Sequence, residues 1–170
     1  MKRHPSNYSD WSTSTHAESS SDVYFEPIHI LLVEDNQADI DLTLEMMKIC
    51  KVSNNVTAVK DGEEALQYLR RQGKYAQCPR PSLILLDLNL PKKDGRQVLA
   101  EIRQDPELTQ LPVVIFSTSE DERDVTAAYR NYANCFITKP ADTEQFIKIV
   151  EAIDTFWLQI VELPTQGAPL

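Results

Sequence analysis

The side chains best equipped for chemistry stand at the ends of short apolar runs. HILLVE (29–34) leads into Glu34 and Asp35, and SLILLD (82–87) ends on Asp87. LPVVIFS (111–117) ends on Ser117, and NCFIT (134–138) is followed by Lys139. If these runs are parallel strands, their carboxyl ends share the sheet edge where α/β proteins bind ligands. Three carboxylates converging there repel and raise one another's pKa unless a cation joins them. A hard divalent ion suits such oxygen ligands, and Mg²⁺ is usually held by one or two carboxylates, waters and phosphate oxygens. With a hydroxyl from Ser117 and an ammonium from Lys139, the set describes a phosphoryl-transfer site. One aspartate would be the nucleophile and form an acyl phosphate. The cation and the lysine would neutralise the charge of the transferred group. Any one of these residues alone reads as a helix cap or a turn residue. Their coincidence at matching ends of several runs is what points to a site.

The elements that would position them alternate along the chain. After HILLVE, NQADIDLTLEMMKICK places Ile40, Leu44 and Met47 on one helical face, with Leu42, Met46 and Ile49 widening it and Asn36 as cap. NVTAVK (55–60) is β-branched and alternating, a strand. DGEEALQYLRRQG predicts a helix capped by Asp61 and stopped at Gly73. SLILLD is the third strand, DGRQVLAEIRQD the third helix, LPVVIFS the fourth strand and ERDVTAAYRNYA the fourth helix. NCFIT and a helix over 142–161 complete the pattern. Runs this continuously apolar are covered on both faces. The expectation is a (βα)5 doubly wound parallel five-stranded sheet in the flavodoxin-like order 2-1-3-4-5, with an extended C-terminal helix.

Composition narrows the partners. A net charge of −9 over 170 residues argues against a nucleic-acid face held by phosphate contacts and against an anionic membrane surface. Cys50, Cys78 and Cys135 lie far apart without a CxxC spacing, which fits free thiols in a reducing compartment. No run approaches the ~18 apolar residues of a membrane span, and the N-terminus lacks the apolar core of a signal peptide. A soluble, cytoplasmic protein is expected. Residues 1–26 are rich in Ser and Thr and poor in aliphatics, so they read as a disordered tail. His4 and His16 in it have no ligand partners at metal spacing, and Trp11 reads as an unanchored aromatic.

LLVEDN (31–36), LILLDLNLPKKDG (83–95), VVIFSTS (113–119) and FITKP (136–140) together resemble the receiver domains of two-component response regulators, over residues 28 to about 155. The resemblance implies that Asp87 is the phosphoacceptor. It implies that Glu34 and Asp35 hold Mg²⁺ with Asp87, with the backbone carbonyl of Asn89 as a further ligand. Ser117 would be the switch hydroxyl, Lys139 the partner of the phosphoryl group, and Phe136 the switch aromatic. Pro91 and Gly95 match the turn after the phosphorylation site, and Pro140 would follow a cis peptide. Two positions depart mildly, with Glu at 34 for the commoner Asp and Ser at 117 for the commoner Thr. The donor would be a histidine kinase, and the output face would be the fourth helix, fifth strand and fifth helix. The boundaries expected are a tail over 1–26, a receiver domain over 27–158 and an extension over 159–170. Too little chain follows the core for a DNA-binding output domain, so a single-domain regulator that is not an enzyme in its own right is expected.

PRPSLILLDLNLPKKDGRQVLAEIRQ and the terminal FWL with its following LP further resemble the small response regulators of cyanobacterial phytochromes. That implies a phytochrome kinase as donor and a homodimer. The fifth helix, about 30 Å long at 1.5 Å per residue, would outrun the sheet. Its Phe146, Phe156, Trp157 and Ile160 would then either fold back on the domain or pack against a second copy; the dimer is the reading preferred. Two other readings compete. An aspartyl phosphatase of the haloacid dehalogenase type would need a second Asp two residues after its nucleophile, where this chain has Asn89. A docking module that is never phosphorylated would not need the acidic pair, Asp87, Ser117 and Lys139 together.

Overall fold

The computed structural model describes residues 27–49 and 54–164. The expected N-terminal tail, Cys50 and residues 165–170 lie outside them. Strand β1 (Ile28–Val33) is followed by α1 (Gln37–Lys48), β2 (Asn54–Val59), α2 (Gly62–Leu69), β3 (Leu83–Leu86) and α3 (Gly95–Gln104). Then come β4 (Val113–Ser117), α4 (Glu122–Arg130), β5 (Cys135–Thr138) and α5 (Thr143–Ile153), which runs on as a π-helical segment over Asp154–Ile160. The strands form one parallel sheet in the order β2-β1-β3-β4-β5, as expected.

The continuous apolarity of the strands has a direct cause. Alternate residues point to opposite faces, and both faces are covered. Ile30, Leu32, Leu83, Leu85, Val114 and Phe116 pack with Ile40 and Met47 of α1 and with Phe146 and Val150 of α5. Leu31, Val33, Ile84, Leu86, Val113 and Ile115 pack with Leu66 and Leu69 of α2 and with Val98 and Ile102 of α3. Each such buried aliphatic side chain contributes about 1.5–3 kcal/mol relative to exposure, so polar residues appear only where the strands end.

Caps set the helix starts. Asn36 accepts from the N–H groups of Ala38 and Asp39, and Asp61 from Glu64 N–H, as the sequence predicts. Asp94 forms a reciprocal capping box with Gln97, which aims α3 away from the β3 end. α2 ends earlier than its pattern predicts, at Leu69 rather than Gly73. Arg71 turns left-handed first, at φ 53°, with Gly73 left-handed too at φ 56°, and Gln72 N–H closes back on Gln67 O at 2.8 Å. On α1, Thr43 is buried between Ile40 and Met47 while Ile49 is exposed, contrary to its expected place on the apolar face. Ile49 is the C-cap residue, and its backbone leaves the helical path there.

The largest departure is at the C-terminus. The expected single α-helix over 142–161 changes register after Ile153, where hydrogen bonds lengthen to the i→i−5 type, as from Val161 N–H to Phe156 O at 2.9 Å. Trp157 keeps the face of Val150 and Ile153, Leu158 turns inward with the longer turn, and both are buried, while Phe156 and Ile160 stay 53% and 67% exposed. Phe146 is buried against Phe116, with ring centroids 5.2 Å apart. Phe146 therefore belongs to the domain's own core, correcting its expected place in a dimer face, while Trp157 is buried with one edge lining an open apolar groove beside Ile137 and Phe156.

Candidate functional site

Backbone register brings the strand ends together. Val33 is paired with Leu86, and Asp87 N–H donates to Val33 O at 3.0 Å, so Glu34 and Asp87 emerge side by side. Ser117 pairs with Thr138, and Lys139 N–H donates to Ser117 O at 2.7 Å. Glu34, Asp87, Ser117 and Lys139 are all buried, whereas Asp35 is exposed. Gly95 closes the turn after β3 against this edge. A β-carbon there would lie 2.1 Å from Asp87 O and 2.8 Å from Leu88 Cα, so no other residue fits without moving the Asp87 backbone.

Every oxygen of Asp87 has a donor. Oδ1 accepts from the Ser117 hydroxyl at 2.6 Å and from Asn89 N–H at 3.0 Å. Oδ2 accepts from Lys139 Nζ at 2.9 Å. The same ammonium also donates to Glu34 Oε2 and, at 3.0 Å, to Asp39 Oδ2, so its three protons are all used. Its charge also stands over the Phe116 ring, 5.5 Å from the centroid.

These contacts explain how each group titrates. Burial pushes the Asp87 carboxyl up, but the Ser117 and Asn89 hydrogen bonds and the Lys139 charge outweigh it and hold it below the ordinary aspartate value. Burial dominates at Glu34, and Lys139 and Asn36 offset it only in part, so this carboxyl lies above its ordinary value. Burial pulls Lys139 down, yet the Glu34 hydrogen bond and the charges of Asp87 and Glu34 carry it above the ordinary lysine value. Asp87 is thus a carboxylate and Lys139 an ammonium at neutral pH.

A divalent cation fits the donor set. Carboxylate oxygens of Glu34, Asp35 and Asp87 lie within 4.8 Å of one another, and Asp35 opens the group to solvent. Three hard oxygens with one open side match an ion that keeps waters or takes phosphate oxygens.

All the side chains expected at the phosphoacceptor meet here, and Asn89 joins through its N–H. Phe136 is set apart, half-buried, against the core face covered by α2 and α3, with its N–H donating to Tyr129 Oη at 3.3 Å. The Lys139–Pro140 peptide is trans rather than the expected cis, the form an X–Pro bond favours by about 0.5–1 kcal/mol, and Lys139 reaches the site regardless. Asp39 is the residue that the sequence reading missed. It lies in the first turn of α1, one turn beyond the Asn36 cap, so strand-end logic passes over it. The available signal was an acidic residue at a helix start that follows directly on the acidic strand end.

The receiver-domain profile of response regulators matches residues 30–151. The response regulator Rcp1 of Synechocystis sp. is 48% identical over 144 residues, covering 85% of this chain and 98% of its own length. Among solved structures, the phosphorylated cyanobacterial phytochrome response regulator RcpA superposes with a TM-score of 0.80 at 51% identity, over 82% of this chain and 100% of that one. The Mn²⁺-bound form of Rcp1 superposes equally well, with a TM-score of 0.80 at 48% identity and the same coverage.

Proposed function

The chain belongs to the response regulator receiver domain family, and from that premise we propose that it takes a phosphoryl group from a histidine kinase, a phytochrome, onto Asp87. The observation that carries the reading is the buried Asp87 carboxylate, bonded by Ser117 at 2.6 Å and Lys139 at 2.9 Å beside two further carboxylates. The similarity to phytochrome response regulators supports the choice of kinase.

An Asp87 oxygen attacks the phosphorus of a phosphohistidine in line. The P–O bond forms as the P–N bond breaks, and the leaving imidazole keeps the electron pair and takes a proton from water. Lys139 is already bonded to Oδ2 and moves only slightly to pair with a phosphoryl oxygen. The Ser117 hydroxyl gives up Oδ1 and donates to another. Glu34, Asp35, Asp87 and the Asn89 carbonyl would hold Mg²⁺, which when bound neutralises charge on the transferring group. The product adds about −1.5 to −2 of charge at Asp87. Ser117 and the loop into α4 respond, Phe136 turns, and the α4-β5-α5 face changes for a partner. The chain thus acts as a phosphoacceptor that catalyses only its own phosphorylation and dephosphorylation, in the cytoplasm and without contacting nucleic acid. Phe156, which lines an apolar groove of about 300 Å³ with Ile137 and Ile149, and the exposed Ile160 supply the contact of a homodimer.

The test is incubation of wild type and Asp87→Asn with acetyl phosphate, with and without Mg²⁺, reading intact mass and molecular size together. The expected result is a Mg²⁺-dependent gain of one phosphoryl group in wild type and none in the variant. Failure of wild type to gain it from acetyl phosphate and from a phosphorylated phytochrome kinase would refute the reading.

A further inference from the structure

The loop that leaves Ser117 is tied down by groups that the chemistry above does not use. The Ser119 hydroxyl, two residues beyond Ser117, donates to Asp124 Oδ2 at 2.5 Å. Asp124 lies in the first turn of α4 and also takes a two-pronged contact from Arg96. Nε donates to its Oδ1 at 3.0 Å, and Nη2 lies 2.6 Å from its Oδ2. Arg96 is the second residue of α3, directly after Gly95, whose Cα is pressed against the Asp87 backbone. The chain of contacts Arg96–Asp124–Ser119 therefore begins beside the phosphoacceptor and ends beside the hydroxyl that must meet it. Asn89 Nδ2 also reaches this loop, but at 3.5 Å from Thr118 Oγ1 it sits at the limit of a hydrogen bond.

We propose that Arg96 and Asp124 are positioning residues, a brace that holds the β4–α4 loop so that the Ser117 hydroxyl faces Asp87. The inference rests on the reading of Asp87 as phosphoacceptor and deepens it. A two-pronged arginine–carboxylate contact fixes orientation as well as distance. The pair is not an ordinary surface ion pair, since the Asp124 side chain is only 19% exposed and bridges three elements. With the loop held, Ser117 needs only a small rotation to pass from Asp87 Oδ1 to a phosphoryl oxygen. Strand pairing fixes the Ser117 backbone, and without the brace the loop directly after it is left free to shift the hydroxyl's rotation during the transfer.

The experiment measures the rate of phosphorylation by acetyl phosphate at fixed Mg²⁺, by intact mass. The variants are Arg96→Met, Asp124→Asn, Ser119→Ala and Ser117→Ala, and each brace variant combined with Ser117→Ala. Arg96→Met and Asp124→Asn should each slow phosphorylation about three- to tenfold, and together no more than either alone. In the Ser117→Ala background neither should slow it further, because the brace acts through that hydroxyl. A loss of fold would slow every background alike, so this dependence on Ser117 separates positioning from mere stability. Ser119→Ala removes a single hydroxyl and tests the same link if a charge variant does not fold. Wild-type rates in the brace variants, or equal slowing with and without Ser117, overturn the brace alone. A wild type that takes no phosphoryl group from any donor overturns the phosphoacceptor reading, and the brace with it.

Discussion

The carboxyl edge of the sheet and the π-helical end of α5 both carry buried ionisable groups beside apolar ones, yet they are built in opposite ways. At the edge, each buried charged group has its partners. Asp87 accepts three hydrogen bonds and Lys139 donates three. At the end of α5, Asp154 is buried with Oδ2 bonded to Gln159 at 2.7 Å and Oδ1 without a partner. Neighbouring Phe156 and Trp157 divide between solvent and core. The edge is positioned by strand register, which backbone hydrogen bonds set from both sides. The end of α5 is positioned by one helix whose period changes part-way, held by its packing and by bonds within the same segment. Register constrains side chains across the whole sheet, whereas a helical period constrains only its own element.

Removing the edge's shared cation is the strongest way to break this contrast. Lys139→Met leaves Glu34 and Asp87 buried without their counter-charge, and chemical denaturation in chelator should show a loss of about 3–5 kcal/mol. Added Mg²⁺ should recover part of it. An unchanged stability would mean that the edge carboxylates do not depend on the ammonium.

At the other region, Trp157→Ala should cost about 3 kcal/mol in thermal or denaturant unfolding, the range for deleting a buried aromatic. A cost below about 1 kcal/mol would show that the π-helical turn does not hold this ring in the core.

A carboxylate away from both regions gives a reference for charge without a metal. Lys74 and Tyr75 hydrogen-bond Glu64 and hold its carboxyl down at about 2. A depressed folded-state value means that the stabilisation is complete above the ordinary 4.5 and is lost as pH falls from there towards about 2. Lys74 stands largely in water, so solvent screens the contribution and leaves it small. Glu64→Gln should flatten this acid limb of the pH–stability curve, with or without Mg²⁺, whereas the stability set by the edge should respond to the ion.

The smallest effect is expected next to Trp157. Phe156→Ser should change monomer stability by less than about 0.5 kcal/mol, because the ring is 53% exposed. It should weaken self-association in analytical ultracentrifugation. A large loss of monomer stability would mean that the two neighbours are held alike, and the contrast would fail.

Much of the site was legible because strand ends are marked twice, once by the end of an apolar run and again by a capping or turn residue. Glu34 followed by Asn36, Asp87 by the turn into Gly95, and Ser117 by the cap Asp121 all carry both marks. Asp39 carried only one, an acid in a helix's first turn, where such residues are common for dipole reasons alone. The left-handed turn at Arg71 was hidden because glycine two residues later is the better local candidate for it. The burial of Trp157 follows the 3.6-residue period from Phe146, Val150 and Ile153, but that of Leu158 was hidden, because the same period puts it off that face and only the longer π-helical turn brings it round.

By itself the sequence determined the alternation of strands and helices, the two-sided burial of the sheet, and which residue types stand at its carboxyl edge. Those follow from local periodicity and from the cost of burying a charge in mid-strand, both of which act residue by residue. Only the tertiary structure decided that Asp39 shares Lys139, that Arg96 and Asp124 reach the loop after Ser117, and that Leu158 joins Trp157 in the core. These depend on where separate elements meet in space, and contact between residues far apart in the chain leaves no periodic trace in it.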